Sequence, residues 1–244
     1  LFAQVPTTTG RMYTWAEDLV LGDNQTWCIT NNGAGGTTLN VTGCIDDGAL
    51  PRTIRKTGNG TLTLAASNSF DGALLINQGT LRVQHPAALG STNEATTIMG
   101  GTGGYLALGS NLEIAEPWVL NGEFNNGGTV NSSSGSNVLS GPLTIYNQVR
   151  FQVPGGSLTV SGGATAMDGS SLFVINSGST MIFNGRPLNL GPKTFYTDSG
   201  GLTVLAVAGN SWAETMVANG TLRLDVPVAL PPTATFRLGV GYGP

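Results

Sequence analysis

Short stretches in which every second residue is apolar recur along the chain, and Gly, Asn or Ser interrupts each of them. Gly60-Thr61-Leu62-Thr63-Leu64 returns as Gly79-Thr80-Leu81-Arg82-Val83 and again as Gly220-Thr221-Leu222-Arg223-Leu224. Looser copies are Gly104-Tyr105-Leu106-Ala107-Leu108, Gly141-Pro142-Leu143-Thr144-Ile145 and Gly156-Ser157-Leu158-Thr159-Val160. Gly178-Ser179-Thr180-Met181-Ile182-Phe183 and Gly201-Leu202-Thr203-Val204 extend the series. Apolar residues at helical spacing are nearly missing. The pattern predicts strands.

Strand side chains alternate, so both apolar positions of each phrase point to one face. The leading Gly supplies backbone freedom for a corner. Successive phrases lie about 15 to 25 residues apart, except for one gap near 37 in which Gly128-Thr129-Val130 is a degenerate copy. One such unit cannot bury its own apolar face and must stack on its neighbours. The expected fold is all-β, a right-handed parallel β-helix or solenoid. The expected inward residues are Leu62, Leu64, Leu81, Val83, Leu158, Val160, Leu222 and Leu224. A β-sandwich is the alternative, with Asn121-Gly122 and Asn184-Gly185 read as hairpin turns.

Composition narrows the function classes. Of 244 residues, 37 are Gly and only 10% are charged, while 40% are hydrophobic. Low charge with this apolar content argues against disorder. The net charge is -4 and the only lysines are Lys56 and Lys193, so no basic run exists for nucleic acid. No apolar stretch is long enough for a transmembrane segment. Cys28 and Cys44 fit one disulfide in an oxidising compartment, a bond worth about 3 kcal/mol by chain entropy. Leu1-Phe2-Ala3 reads either as the end of a signal peptide or as an N-terminal strand.

Lys56-x-Gly58-x-Gly60-Thr61-Leu62-Thr63-Leu64 is followed by Asn68-x-Phe70-x-Gly72, Ile76-x-x-Gly79-Thr80-Leu81 and Ala88-Leu89-Gly90. Upstream stands Leu39-x-Val41-x-Gly43-x-Ile45-x-x-Gly48. This run of roughly 50 residues resembles the autotransporter-associated, or passenger-associated, β-strand repeat. The resemblance implies an exported bacterial β-helix, secreted or held at the cell surface. It brings no catalytic residues.

Candidate chemistry is sparse. Hydrolytic or lyase chemistry on a polysaccharide needs clustered carboxylates or a carboxylate with a base. Asp46 and Asp47 read as a solvated turn pair, since neighbours on a strand face opposite sides. Asp71, Asp168, Asp198 and Asp225 stand apart, and His85 precedes Pro86 in a loop-like segment. The run Gly100-Gly101-Thr102-Gly103-Gly104 lacks the Gly-Lys-Ser/Thr ending of a phosphate loop. No catalytic residue, metal site or cofactor is expected, and the chain is read as no enzyme.

The ends differ from the middle. Residues 1–30 are less repetitive and carry Met12, Tyr13, Trp15 and Trp27, a cap or docking cluster. Residues 31–225 are the expected solenoid. Residues 226–244 combine a proline-stiffened connector with an alternating strand bearing Phe236, Leu238, Val240 and Tyr242. That strand either folds back on its own solenoid or pairs with a neighbouring copy. The expected function is structural: an extracellular protein that self-assembles end to end into a filament or surface layer through strand exchange. The alternative is a monomeric passenger or adhesin segment contacting a carbohydrate or cell surface. A polysaccharide-acting enzyme is the third reading.

Overall fold

The computed structural model describes residues 2–3, 10–31, 36–122, 130–167, 171–175, 178–198 and 200–239. Among them there is no α-helix, only the short 3-10 turn Gly100–Thr102. Every strand pairing is parallel. The chain winds into a β-solenoid of about ten turns. This excludes the sandwich: Asn121-Gly122 closes the strand Trp118–Gly122, and Asn184-Gly185 turns a corner between parallel columns.

Three columns of strands form the faces. The first runs from Arg11–Trp15 through Thr37–Val41, Thr61–Leu64, Gly79–Val83 and Gly104–Leu108, and ends at Thr235–Leu238. The second runs from Phe2–Ala3 through Gln25–Ile29, Ile54–Thr57, Leu74–Ile76, Thr96–Met99 and Trp118–Gly122 to residues 211–212. The third begins with Leu19–Val20 and Ile45–Asp46 and becomes regular from Glu113–Ile114 to Thr221–Leu224. Between these parts, Ser69 donates to the Ile45 carbonyl and Ser91 to the Phe70 carbonyl, carrying that face through two coils without formal strands. On the first face, consecutive coils are offset by 19 residues at Thr61↔Thr80 and by 26 at Arg11↔Thr37.

The glycine-led phrase marks corners. Its copies at Gly60, Gly79 and Gly104 enter the first face, the copy at Gly141 enters the second, and those at Gly156, Gly178, Gly201 and Gly220 enter the third. Any corner needs a turn and then an alternating strand, so one phrase serves all three.

The interior is apolar and continuous. Leu62, Leu64, Leu81, Val83, Leu158 and Val160 are all buried within it. In the second half an aromatic ladder follows the axis. Phe151 and Phe183 meet edge to face, Phe183 and Phe195 likewise, and Phe195 stacks on Trp212 at 5.0 Å. Two expected core residues are corrected: Leu222 is half-buried and Leu224 is 46% exposed. They align with Thr203 and Leu205 of the coil below, so their direction is inward, but their strand is the last of its column.

Corners are held by buried asparagines. Asn68 accepts from the Ile45 amide and donates to the Ala88 carbonyl. Asn137 accepts from Leu112 and donates to Gly109, and Asn210 accepts from Leu188 and donates to Ala229. Each side chain replaces strand hydrogen bonds where the backbone turns away from its neighbour.

Candidate functional site: the repeat, the carboxylates and the two ends

Buried charged and amide groups gather within residues 47–79: Asp47, Lys56 and Asn68. Lys56 alternates with Ile54, so its side chain enters the core, and it is 0% exposed. Its ammonium donates to the carbonyls of Gly58 at 2.8 Å and Gln78 at 2.7 Å, tying one corner to the next. Burial pulls its pKa down to about 8, partly offset by the Cys28 thiol. Gly79 holds φ +74, and a Cβ there would lie 2.3 Å from the Gly60 carbonyl oxygen and 2.6 Å from the Lys56 Nζ. Only glycine fits over this lysine.

Asp47 was expected in a solvated turn. Instead it is 5% exposed, and its Oδ2 accepts from the amides of Arg52, Asp71 and Gly72 at 2.8, 2.9 and 3.0 Å. The loop 48–52 curls back so that three backbone donors converge on one carboxylate. A Cβ at Gly72 would lie 2.2 Å from the Arg52 carbonyl oxygen, which explains the glycine. Asp46 does face outward: Ser69 and the Gly48 amide hydrogen-bond to it and hold its carboxyl below the usual range.

A second buried carboxyl is Glu116, 4% exposed and bonded to the Thr96 hydroxyl at 2.8 Å. Burial raises its pKa to about 7, against the opposing pull of the Thr96 hydroxyl and amide. The other acids act locally. Asp71 accepts from Asn93, Asp198 from the Tyr196 hydroxyl, and Asp225 takes both arms of Arg223. Asp168 lies outside the described residues. His85 accepts from the Ala87 amide in its own turn, and the glycine run 100–104 forms the 3-10 turn and enters a strand. Among the described residues, no three His, Cys, Asp or Glu side chains are placed to hold a metal, and no helix is long and apolar enough to cross a membrane.

The expected disulfide is absent: Cys28 and Cys44 are free thiols, each half-buried. Cys28 alternates with the buried Trp27 and Ile29 on the second face. Cys44 stands at the corner before Ile45–Asp46, with its sulfur beside the Ile45 carbonyl and the Ser69 hydroxyl. The strand alternation and the corner send the two thiols to different faces.

The sequence cluster at the N-terminus divides. Trp27 is core at 4% exposure, Tyr13 and Trp15 pack half-buried against it, and Met12 is 71% exposed. Arg11–Trp15 and Gln25–Ile29 are themselves rungs of the first and second columns. Trp15, Leu19, Val20 and Trp27 line a hollow of about 140 Å³ in this coil.

At the other end, Thr235–Leu238 pairs with its own solenoid, Phe236 beside Thr215 and Leu238 beside Val217. Within this one chain the strand lies along its own solenoid. Phe236 and Leu238 occupy inward positions yet are 48% and 67% exposed, with no further coil among the described residues. Val240 and Tyr242 lie outside the described residues. The proline-rich stretch before this strand crosses the coil with Ala229 buried and its carbonyl held by Asn210. On the first face near the N-terminal end, Met12, Thr38, Asn40, Thr61, Arg82 and Gln84 line an open polar concavity of about 340 Å³.

Alternation alone marks Lys56 and Glu116 as inward, since each is two residues from a buried neighbour, Ile54 and Trp118. Asp47 had no such signal, because a loop rather than a strand buries it. Residues 54–83 match the family model described as passenger-associated-transport-repeat. Comparison with curated proteins and with solved structures found no match. The matched segment contains the Lys56 corner and the Asn68–Gly72 stretch.

Proposed function

We propose that this chain is a structural segment of an extracellular or cell-surface bacterial protein of the passenger type, and that copies of it stack end to end. The passenger repeat at 54–83 supports the location and the structural role. One observation carries the stacking. Of eight large hydrophobic side chains exposed among the described residues, six lie on the terminal coils: Met12, Val20, Leu224, Val228, Phe236 and Leu238. Of these, Leu224, Phe236 and Leu238 stand at inward positions of their strands, and apolar side chains so placed fit contact with a further coil, from a second copy or from more of the same chain. The last described strand pairs within its own column, which favours edge addition over the strand exchange expected from sequence.

Negative-stain microscopy of the purified protein tests this reading. Concentration-dependent rods many times longer than one solenoid are expected, and isolated short particles at every concentration would refute it.

The polar concavity around Arg82 favours a second reading, a monomeric segment that contacts a carbohydrate. Arg82 is exposed, and hydroxyl and amide side chains surround it. A screen of acidic and neutral oligosaccharides by titration calorimetry tests it; Arg82→Gln should weaken any binding, and no heat with either class would remove this reading.

A further inference from the structure

We propose that Asn219 is a site of spontaneous deamidation, at which the Gly220 backbone nitrogen closes a ring onto the side chain and a carboxylate is left at the corner before Thr221–Leu224. This holds whether or not copies of the chain stack.

Asn-Gly pairs occur among the described residues at Asn59, Asn121, Asn184 and Asn219. Asn32-Gly33 and Asn126-Gly127 lie outside them. In such a pair the glycine nitrogen can reach the asparagine Cγ, because no Cβ on the second residue obstructs the approach. How near the two groups are held decides the rate.

Three of the four pairs are held apart. The Asn59 Oδ1 accepts from the Asn31 amide at 2.7 Å and its Nδ2 donates to the Asn31 carbonyl, while the Gly60 amide donates to the Ile29 carbonyl at 2.7 Å. The Asn121 Oδ1 accepts from the Asn147 side chain at 2.6 Å, and Gly122 is a buried strand residue in register with Asn147. Asn184 is half-buried, and among the described residues no hydrogen bond brings its side chain to the Gly185 amide.

Asn219 differs on each count. It and Gly220 are both exposed, and the Gly220 amide donates to the Asn219 Oδ1 at 2.9 Å. The attacking nitrogen thus already lies against the carboxamide it attacks. The flanking amides of Ala218 and Thr221 bond to Thr197 and Gly201 of the coil below, and the Gly220 amide has no other acceptor among the described residues. The departing Nδ2 sits over Gly200, where even a Cβ would be 4.0 Å away. Gly200, Gly201 and Thr221 line a groove there that is open to water.

Solvent takes the proton from the Gly220 nitrogen, whose electron pair forms the bond to Cγ. The Cγ–Nδ2 bond breaks, and ammonia leaves with a proton from water. The resulting ring holds the Gly220 nitrogen and four carbons of Asn219. Water then opens it: cleavage at Cγ gives aspartate, and cleavage at the backbone carbonyl gives isoaspartate, with the main chain rerouted through Cβ and Cγ. The longer path draws the Thr221 amide away from the Gly201 carbonyl it now meets at 2.9 Å. Conversion needs only water, so it accumulates with the age of each molecule.

Full-length protein in mildly alkaline buffer, folded and in denaturant, tests this by mass-spectrometric peptide mapping of each pair. In denaturant the four should convert at similar rates. Folding should slow Asn59 and Asn121 by at least about tenfold and leave Asn219 within about threefold of its unfolded rate. Asn219→Gln should abolish conversion at that position, because its ring would need a further member. Slowing of Asn219 equal to that of Asn59 overturns the assignment. Isoaspartyl protein, separated by anion exchange, should lose hydrogen-exchange protection across residues 221–224, whereas Asn219→Asp should keep it. Unchanged protection in the isoaspartyl form overturns the effect on the corner.

Discussion

The coils around the passenger repeat and the coil at the C-terminus have the same cross-section but opposite polar and apolar economies. In the repeat, Leu62 and Leu81 are 0% exposed and Lys56, Asp47 and Asn68 tie corner to corner. At the end, Phe236, Leu238 and Leu224 point inward with no described coil beyond them. A solenoid coil is stabilised by both neighbours, and a terminal coil has one. The difference teaches that, for residues at inward positions, exposure reports position in the stack.

The largest contrast should come from emptying the core. Phe70→Ala, at 1% exposure within the repeat, should cost about 3–5 kcal/mol in chemical denaturation. Gly72→Ala should also be severe, because its Cβ meets backbone at 2.2 Å. Asp47→Ala should cost about 3 kcal/mol, because three amides lose their acceptor. A loss below about 1 kcal/mol would mean that water replaces the carboxylate freely.

The two buried titrating groups give the next effect, and they act with opposite sign. Glu116 has its folded pKa raised to about 7 from 4.5, so its stabilisation is full below 4.5 and lost as pH rises through 7. Lys56 has its folded pKa lowered to about 8 from 10.5, so its contribution is full above 10.5 and lost as pH falls through 8. Each limb is on the order of 3 kcal/mol. Together they predict a shallow minimum of stability between pH 7 and 8. Glu116→Gln should flatten the acid limb and Lys56→Met the alkaline one. A wild-type profile that is flat from pH 5 to 10 would contradict both.

The smallest expected effect is at the end. Leu238→Ala should change the stability of the isolated chain by less than about 1 kcal/mol, since the side chain is 67% exposed. The same substitution should nevertheless shorten any fibres. Equal losses at Leu238 and Phe70 would erase the contrast between end and repeat.

Alternation and glycine punctuation were enough to predict parallel stacked coils, because both follow from local geometry. They did not assign strands to faces. The same Gly-Thr-Leu phrase enters the first face at Gly60 and the third at Gly220, and nothing within five residues distinguishes them. Burial at the ends was likewise hidden: Leu224 repeats the pattern of Leu64, yet it is 46% exposed on the last described strand of its column. The disulfide expectation failed for a related reason. Two cysteines close in sequence lie on different faces when a corner separates them. Asp47 was misread because its three partners come from a loop and from the following coil.

Hydrogen exchange, followed peptide by peptide at low and high protein concentration, tests the contrast most directly. The account predicts slowest exchange across residues 54–90 at both concentrations. Residues 214–239 should exchange fast when dilute and become protected as concentration rises. Equal protection of the two regions in dilute solution, or no gain at the C-terminal coil on concentration, would contradict it.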